Sequence, residues 1–346
     1  MKHFTGSIIV TITGLITAYL WGEHVHQGTG LLCIFIAFIL GILEVSLSFD
    51  NAVVNAMKLE KMEKIWQHRF LTWGIAIAVF GMRFLFPLLV VSLFANLSIF
   101  NVLNIALNDS NQYANYLHQT HAPIVAFGGA FLLMLFLSYF FDCDKEVHWI
   151  KGVEHCCSHL GNIKGFETII TLFAVIVTQH YCPDEYKLSV LTSGVVGVII
   201  YLAIDGITAW LEKHEEERAK ALSASVKGGG LIAFLYLELI DASFSLDGVL
   251  GAFALSQDIV IITIGLSIGA MFVRSLTVML VEHKTLAKYL YLEHGAHWAI
   301  GALALIMFVS TKIEVPEVIT GLVGLAFIVS ALISSLLHNK RENGAN

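Results

Sequence analysis

The chain has 346 residues, 57% of them hydrophobic and only 14% charged, with a mean hydropathy of +0.76. A soluble domain of this length needs more charge to cover its surface, and a net charge of −7 argues against a nucleic-acid partner. The apolar residues fall in blocks of roughly 16 to 28 without period-two alternation, which excludes a β-barrel and leaves an all-α, polytopic transmembrane bundle.

Ten spans are predicted in chain order, at roughly 5–22, 30–57, 71–95, 123–141, 165–182, 189–211, 229–255, 258–281, 296–311 and 316–337. The first follows Lys2 and is read as a retained span, because no small-x-small cleavage site follows it. The stretch 96–122 is rich in Asn, lacks Lys and Arg, and is expected to be a solvated outer loop. The segments on one side of this arrangement, with the two termini, hold 16 of the 20 Lys and Arg. The other side holds only Lys187 and Lys312, and Arg83 and Arg274 fall inside spans. This bias puts both termini in the cytoplasm.

The second span contains Glu44-Val-Ser-Leu-Ser-Phe-Asp50-Asn51, and the seventh contains Asp241-Ala-Ser-Phe-Ser-Leu-Asp247-Gly248. Both read acid, x, Ser, apolar, Ser, apolar, Asp, and each following span carries one arginine, Arg83 or Arg274. Two transmembrane repeats of five spans follow, over 1–182 and 183–346, the second inverted because five is odd.

Glu44, Asp50, Glu238, Asp241 and Asp247 place five carboxylates at membrane depth. Ionised and unpaired, they would cost of order 12–17 kcal/mol on insertion scales. Two arginines offset part of that, and protons, water or a bound cation must offset the rest. Six residues turn an ideal helix by about 600°, so the two acids of one motif share a target only if the helix is broken between them. Ser46 and Ser48 in the first motif, with Ser243, Ser245 and Gly248 in the second, weaken the helix at those places. Two broken helices are therefore expected to meet near the midplane and to offer backbone carbonyls.

The donors of the motifs are all oxygens: carboxylates, hydroxyls, the Asn51 amide and carbonyls. Such a set suits manganese, calcium or magnesium rather than zinc or copper. The expected metal ligands are Glu44, Asp50, Asn51, Asp241 and Asp247. Ser46, Ser48, Ser243, Ser245, Glu238, Arg83 and Arg274 support them. Crowded carboxylates share protons, which makes protons the natural counter-ion. The chemistry points to movement of a divalent cation across the membrane. The alternative is a metal-binding scaffold or sensor that moves nothing. An intramembrane aspartyl protease would show Gly-x-Gly-Asp, whereas Asp247 follows Ser-Leu, so no enzymatic activity is expected.

At Glu44-x-x-x-Ser-x-Asp50-Asn51 and Asp241-x-x-Phe-Ser-x-Asp247, each followed by an arginine-bearing span, the chain resembles the TerC family of bacterial membrane proteins. The resemblance is closest to a branch known mainly as a domain of unknown function. It implies the bacterial inner membrane, a tellurium-resistance name and, for several members, manganese export. Many members carry a polar residue where this chain has Gly248. Separately, Asp142, Cys143, Asp144, His148 and Glu154-His155-Cys156-Cys157-Ser158-His159 form a polar stretch on the Lys-rich side, whose spacing fits no standard zinc pattern. The five cysteines show no disulfide framework.

Overall fold

Inside hydrocarbon a chain must satisfy its backbone internally, and long apolar runs do so as helices. The computed structural model describes residues 4–222 except 26, 61, 63, 96, 144 and 146, the positions 234, 235, 237, 238, 252, 255, 256 and 258, and 259–343 except 283–288 and 314. Among the described residues there is no strand. Six of the described helices are long and apolar enough to cross a membrane.

The order begins with α1 (Thr5–Val25), α2 (Gly30–Leu47) and α3 (Phe49–Glu60), the last two parted by the single residue Ser48. A continuous rod follows, made of α4 (Lys64–Ala76), a π-helical segment (Ile77–Leu85) and α5 (Phe86–Phe94). The rod starts earlier than the apolar block at 71 suggested. Pro87 has no N–H to donate to the carbonyl of Arg83 four residues back, which removes an α-helical bond where the wider turns end. The Asn-rich stretch is helical rather than a loop. It forms α6 (Ile99–Asn108) and the first turns of α7 (Ser110–Phe140). The Ser98 hydroxyl accepts from the Asn101 N–H and the Asp109 carboxylate from the Gln112 N–H, which caps both helices. Val102 and Ala106 are buried with Tyr113 and Leu117, so α6 folds back on α7.

Next come α8 (Lys151–Leu160), α9 (Phe166–Tyr181), which has only 16 residues, and α10 (Lys187–Leu222), which has 36. The chain ends with α11 (Ile259–Glu282), α12 (Leu292–Ser310) and α13 (Glu317–Asn343). All five cysteines are free thiols.

Burial sorts the helices into layers. α7 is the centre and is mostly buried, whereas α1 is mostly exposed. Phe131, Leu132 and Met134 of α7 pack with Ile300, Ala304 and Met307 of α12 and with Val198 and Tyr201 of α10. Segments on either side of residue 182 therefore share one core. The outer face of α1, with Ile8, Ile9, Ile12 and Ile16, is exposed. Its inner face is tied to α11 by the Ser7 hydroxyl, which donates to the Met271 carbonyl at 2.8 Å and lies 2.7 Å from the Ser275 hydroxyl. Close approach of α2 and α11 depends on Gly265 and Gly269. A Cβ at Gly265 would meet Leu40 and the Ala37 backbone, and one at Gly269 would meet the Glu44 side chain. Small residues four apart are a common means of bringing membrane helices together.

Candidate functional site

The site begins at the break in the second apolar block. Ser48 has φ −101° and ψ 20°, outside the helical range, while its N–H still bonds to the Glu44 carbonyl at 2.9 Å. The Ala52 N–H bonds in turn to the Ser48 carbonyl at 3.1 Å. The result is a kink with an intact ladder on both sides, lying between Glu44 and Asp50 as the six-residue spacing requires. The Ser48 hydroxyl donates to Glu44 Oε1 at 2.9 Å. Arg83, in the π-helical segment, forms an ion pair and hydrogen bond with the same oxygen. Both are buried, Glu44 at 2% exposure and Arg83 at 3%. A π segment inside an α-helix re-aims its side chains and is frequent at functional sites.

A second acid–base pair stands beside the first. Arg274 of α11 lies 3.9 Å from Glu238 Oε1. Its guanidinium also donates to the Phe70 carbonyl and sits 4.0 Å from the Phe70 ring centre. Gly74, one turn along α4, leaves room for that guanidinium and for Glu238, where a Cβ would collide with both. Each arginine of the sequence motif thus has a buried glutamate partner. For Arg274 that partner is Glu238, three residues before Asp241.

Between the two pairs lies a small cavity with about 10 Å³ of free volume, lined in part by Asn51, Asn55, Phe70, Arg83, Arg274 and Thr277. That is close to the room needed by one water. Asn51 and Asn55 are one turn apart on α3, and both are buried.

Of the expected site residues, Glu44, Ser48, Asn51 and Arg83 are brought together here, with Arg274 and Glu238 adjacent. Asp241, Ser243, Ser245, Asp247 and Gly248 lie outside the described residues, as do the side chains of Ser46 and Asp50. Among the described residues, no group of three or more His, Cys, Asp or Glu is placed to hold a metal ion. Two features had no part in the sequence reading. One is Asn55, whose signal is a lone amide four residues after Asn51 in an otherwise apolar turn. The other is the Gly265-x-x-x-Gly269 spacing that seats α11 on α2.

A separate polar cluster closes one end of the bundle. The polar stretch on the Lys-rich side contains α8, and Glu154 of α8 is turned inward and buried. Its carboxylate accepts from the Trp149 and Ile150 N–H groups at 2.9 and 3.2 Å, closing the helix start. It also accepts from His294 Nδ1 at 2.9 Å and Trp298 Nε1 at 3.0 Å, both on α12. Burial alone would raise the Glu154 pKa. The Trp298 bond, the His294 charge and the two backbone N–H groups outweigh it and hold the carboxyl below its usual range. Lys145 lies over the Tyr139 ring, 2.9 Å from its centre. Burial pulls the Lys145 pKa down to about 8, against the opposing pull of Glu154, Glu293 and Asp142.

Six membrane-length helices around buried acid–base pairs define the class, a multi-pass helical membrane protein. Over residues 49–342 the chain matches the family described as "Protein of unknown function (DUF475)", and it belongs to that family. No curated protein and no solved structure matches it.

Proposed function

We propose that this protein moves a divalent cation with a preference for oxygen ligands across a membrane. Manganese is the first candidate, with calcium and magnesium as the other ions of that class, and protons serve as the counter-ion. The observation that carries this reading is the buried Glu44–Arg83 pair at the Ser48 kink. A buried ion pair is an indifferent way to stabilise a fold, since desolvation offsets most of its attraction. It is a good way to keep a carboxylate in place and charge-compensated until a mobile cation competes for it. Glu238 and Arg274 supply a second such arrangement beside the same cavity.

In this reading Glu44, Asp50, Asn51, Asp241 and Asp247 supply the ligands, and the serines of both motifs add hydroxyl and carbonyl oxygens. Two inverted halves of five spans, cytoplasmic termini and a bacterial inner membrane belong to the same proposal. So does kinship with the manganese-exporting members of the TerC family, which rests on the two motifs.

The test is manganese flux in proteoliposomes holding the pure protein, with calcium and zinc as competitors. Asp50→Asn and Asp247→Asn are each expected to abolish it. Saturable binding that needs the same aspartates, with no flux under any proton gradient, would replace transport by a metal-binding scaffold or sensor.

A further inference from the structure

Asn55 is 4% exposed, and its side-chain carbonyl oxygen has no hydrogen-bond partner among the described residues. A buried amide oxygen left so costs about 1–3 kcal/mol, and native proteins rarely retain one without a use. Its neighbours narrow what the use is. Asn55 lies one turn beyond Asn51 on α3, and both line the cavity that Arg83 and Arg274 border. Lys58 follows three residues later, near the end of the helix. These positions, 51, 55 and 58, recur at helical spacing and form one polar stripe on a helix whose residues 51–57 are all buried. The stripe runs from the kink at Ser48 to the α3–α4 end of the bundle.

We propose that Asn55 is a further ion-contacting residue. With Asn51 it forms a carboxamide station through which a partly dehydrated divalent cation passes between the acidic motif and the α3–α4 end of the membrane. This inference rests on the transport reading above. A neutral amide oxygen can replace a water ligand of such a cation without holding it as a carboxylate would, which suits a place of passage. The arginines do not forbid it, since Glu44 and Glu238 balance their charge at the cavity wall. Thr277 keeps the wall closed on the α11 side. Its hydroxyl contacts the Val273 and Ala52 carbonyls at 3.0 and 3.4 Å, linking α11 to α3.

The experiment compares wild type with Asn55→Leu, Asn55→Asp and Asn55→Cys, reconstituted at full length, with Mn2+ as the probe. Asn55→Leu is expected to lower Mn2+ flux by about tenfold or more, the scale of loss when a residue around a metal site is removed. Equilibrium Mn2+ binding, set mainly by the carboxylates, should fall less than flux does. Asn55→Asp should retain flux, which separates loss of an oxygen from loss of the fold. In Asn55→Cys, alkylation at position 55 by a small aqueous thiol reagent, read by peptide mass, should be slowed by Mn2+ and not by K+. Wild-type flux in Asn55→Leu, or a thiol at 55 that Mn2+ does not protect, would make Asn55 a core amide with a water on it and overturn the inference. A wild-type protein that neither binds nor moves Mn2+ would sink the transport reading itself, and this inference with it.

Discussion

The Trp298 indole N–H donates to Glu154 at 3.0 Å across 144 residues of sequence, and so pins the short helix α8 to the start of α12. The carboxylate that receives it also accepts from His294 and two backbone N–H groups, so four donors converge on one buried anion. Replacing Glu154 by Ala strands all four. The expected loss is about 2–3 kcal/mol, the scale of hydrogen bonds to a charged group. It should appear as a lower thermal midpoint in detergent and as faster amide exchange confined to 151–160. Unchanged exchange in that segment would mean α8 is held by its apolar face alone.

Acid should loosen the same clasp. The folded pKa of Glu154 is depressed, so its contribution is fully present above the ordinary carboxylate pKa of about 4.3 and is lost as pH falls through the lower folded value. Protection of the 151–160 amides relative to intrinsic exchange is expected to fall below pH 4 or so in wild type and to be already low, and flat with pH, in Glu154→Gln.

Lys145 works in the opposite sense and at the other end of the scale. Its folded pKa of about 8 lies below that of a free lysine, so the unfolded chain binds more protons between the two values. Its burial therefore destabilises the fold fully below pH 8, and the penalty is relieved as pH rises toward about 10.4. Lys145→Met should be more stable than wild type at pH 7, and the gap should narrow by pH 10. Thermal midpoints measured across that range decide it, and a gap independent of pH would refute the assignment.

Breaking one side of the Glu44–Arg83 pair leaves a buried charge alone. Glu44→Gln and Arg83→Gln should each cost about 3–5 kcal/mol. The double variant Glu44→Gln/Arg83→Met should be more stable than either single one, yet remain inactive in Mn2+ flux. A double variant no better than the singles would mean that the two residues are held in place independently.

Glycine contrasts test the seat of α11 on α2. Gly269→Ala drives a methyl into the Glu44 side chain, and a cost of about 1–3 kcal/mol is expected from overpacking. Gly206→Ala, on α10 with nothing near the new methyl, should be neutral or stabilising by about 0.5–1 kcal/mol. The thermal midpoint should fall in Gly269→Ala and hold or rise in Gly206→Ala.

The sequence made parts of this legible because their physics is local. Apolar blocks of membrane length mark α1, α10 and α11, and the spacing of Glu44 and Asp50 demanded the break that falls at Ser48. The helices of the Asn-rich stretch were hidden. Two short polar caps, Ser98 and Asp109, start them, and composition alone reads such a stretch as a loop. Glu154 was hidden for a different reason. Its neighbours in the sequence are Cys and His of no recognisable spacing, while its partners lie 140 and 144 residues away. The choice of Glu238 as the partner of Arg274 likewise depends on where α4 and α11 meet, which no spacing within one segment reveals.

The shortness of α9 reaches beyond the protein. Sixteen residues span about 24 Å, while the hydrocarbon of an ordinary bilayer is about 30 Å thick. Its residues Ile169, Phe173, Ile176 and Val177 are exposed and form a narrow apolar band. As a membrane span, α9 would require the surrounding leaflets to thin there, while the 36-residue α10 beside it, about 54 Å long, exceeds that thickness. Lengthening the acyl chains of the host membrane should therefore strain the α9–α10 flank before any other part of the bundle.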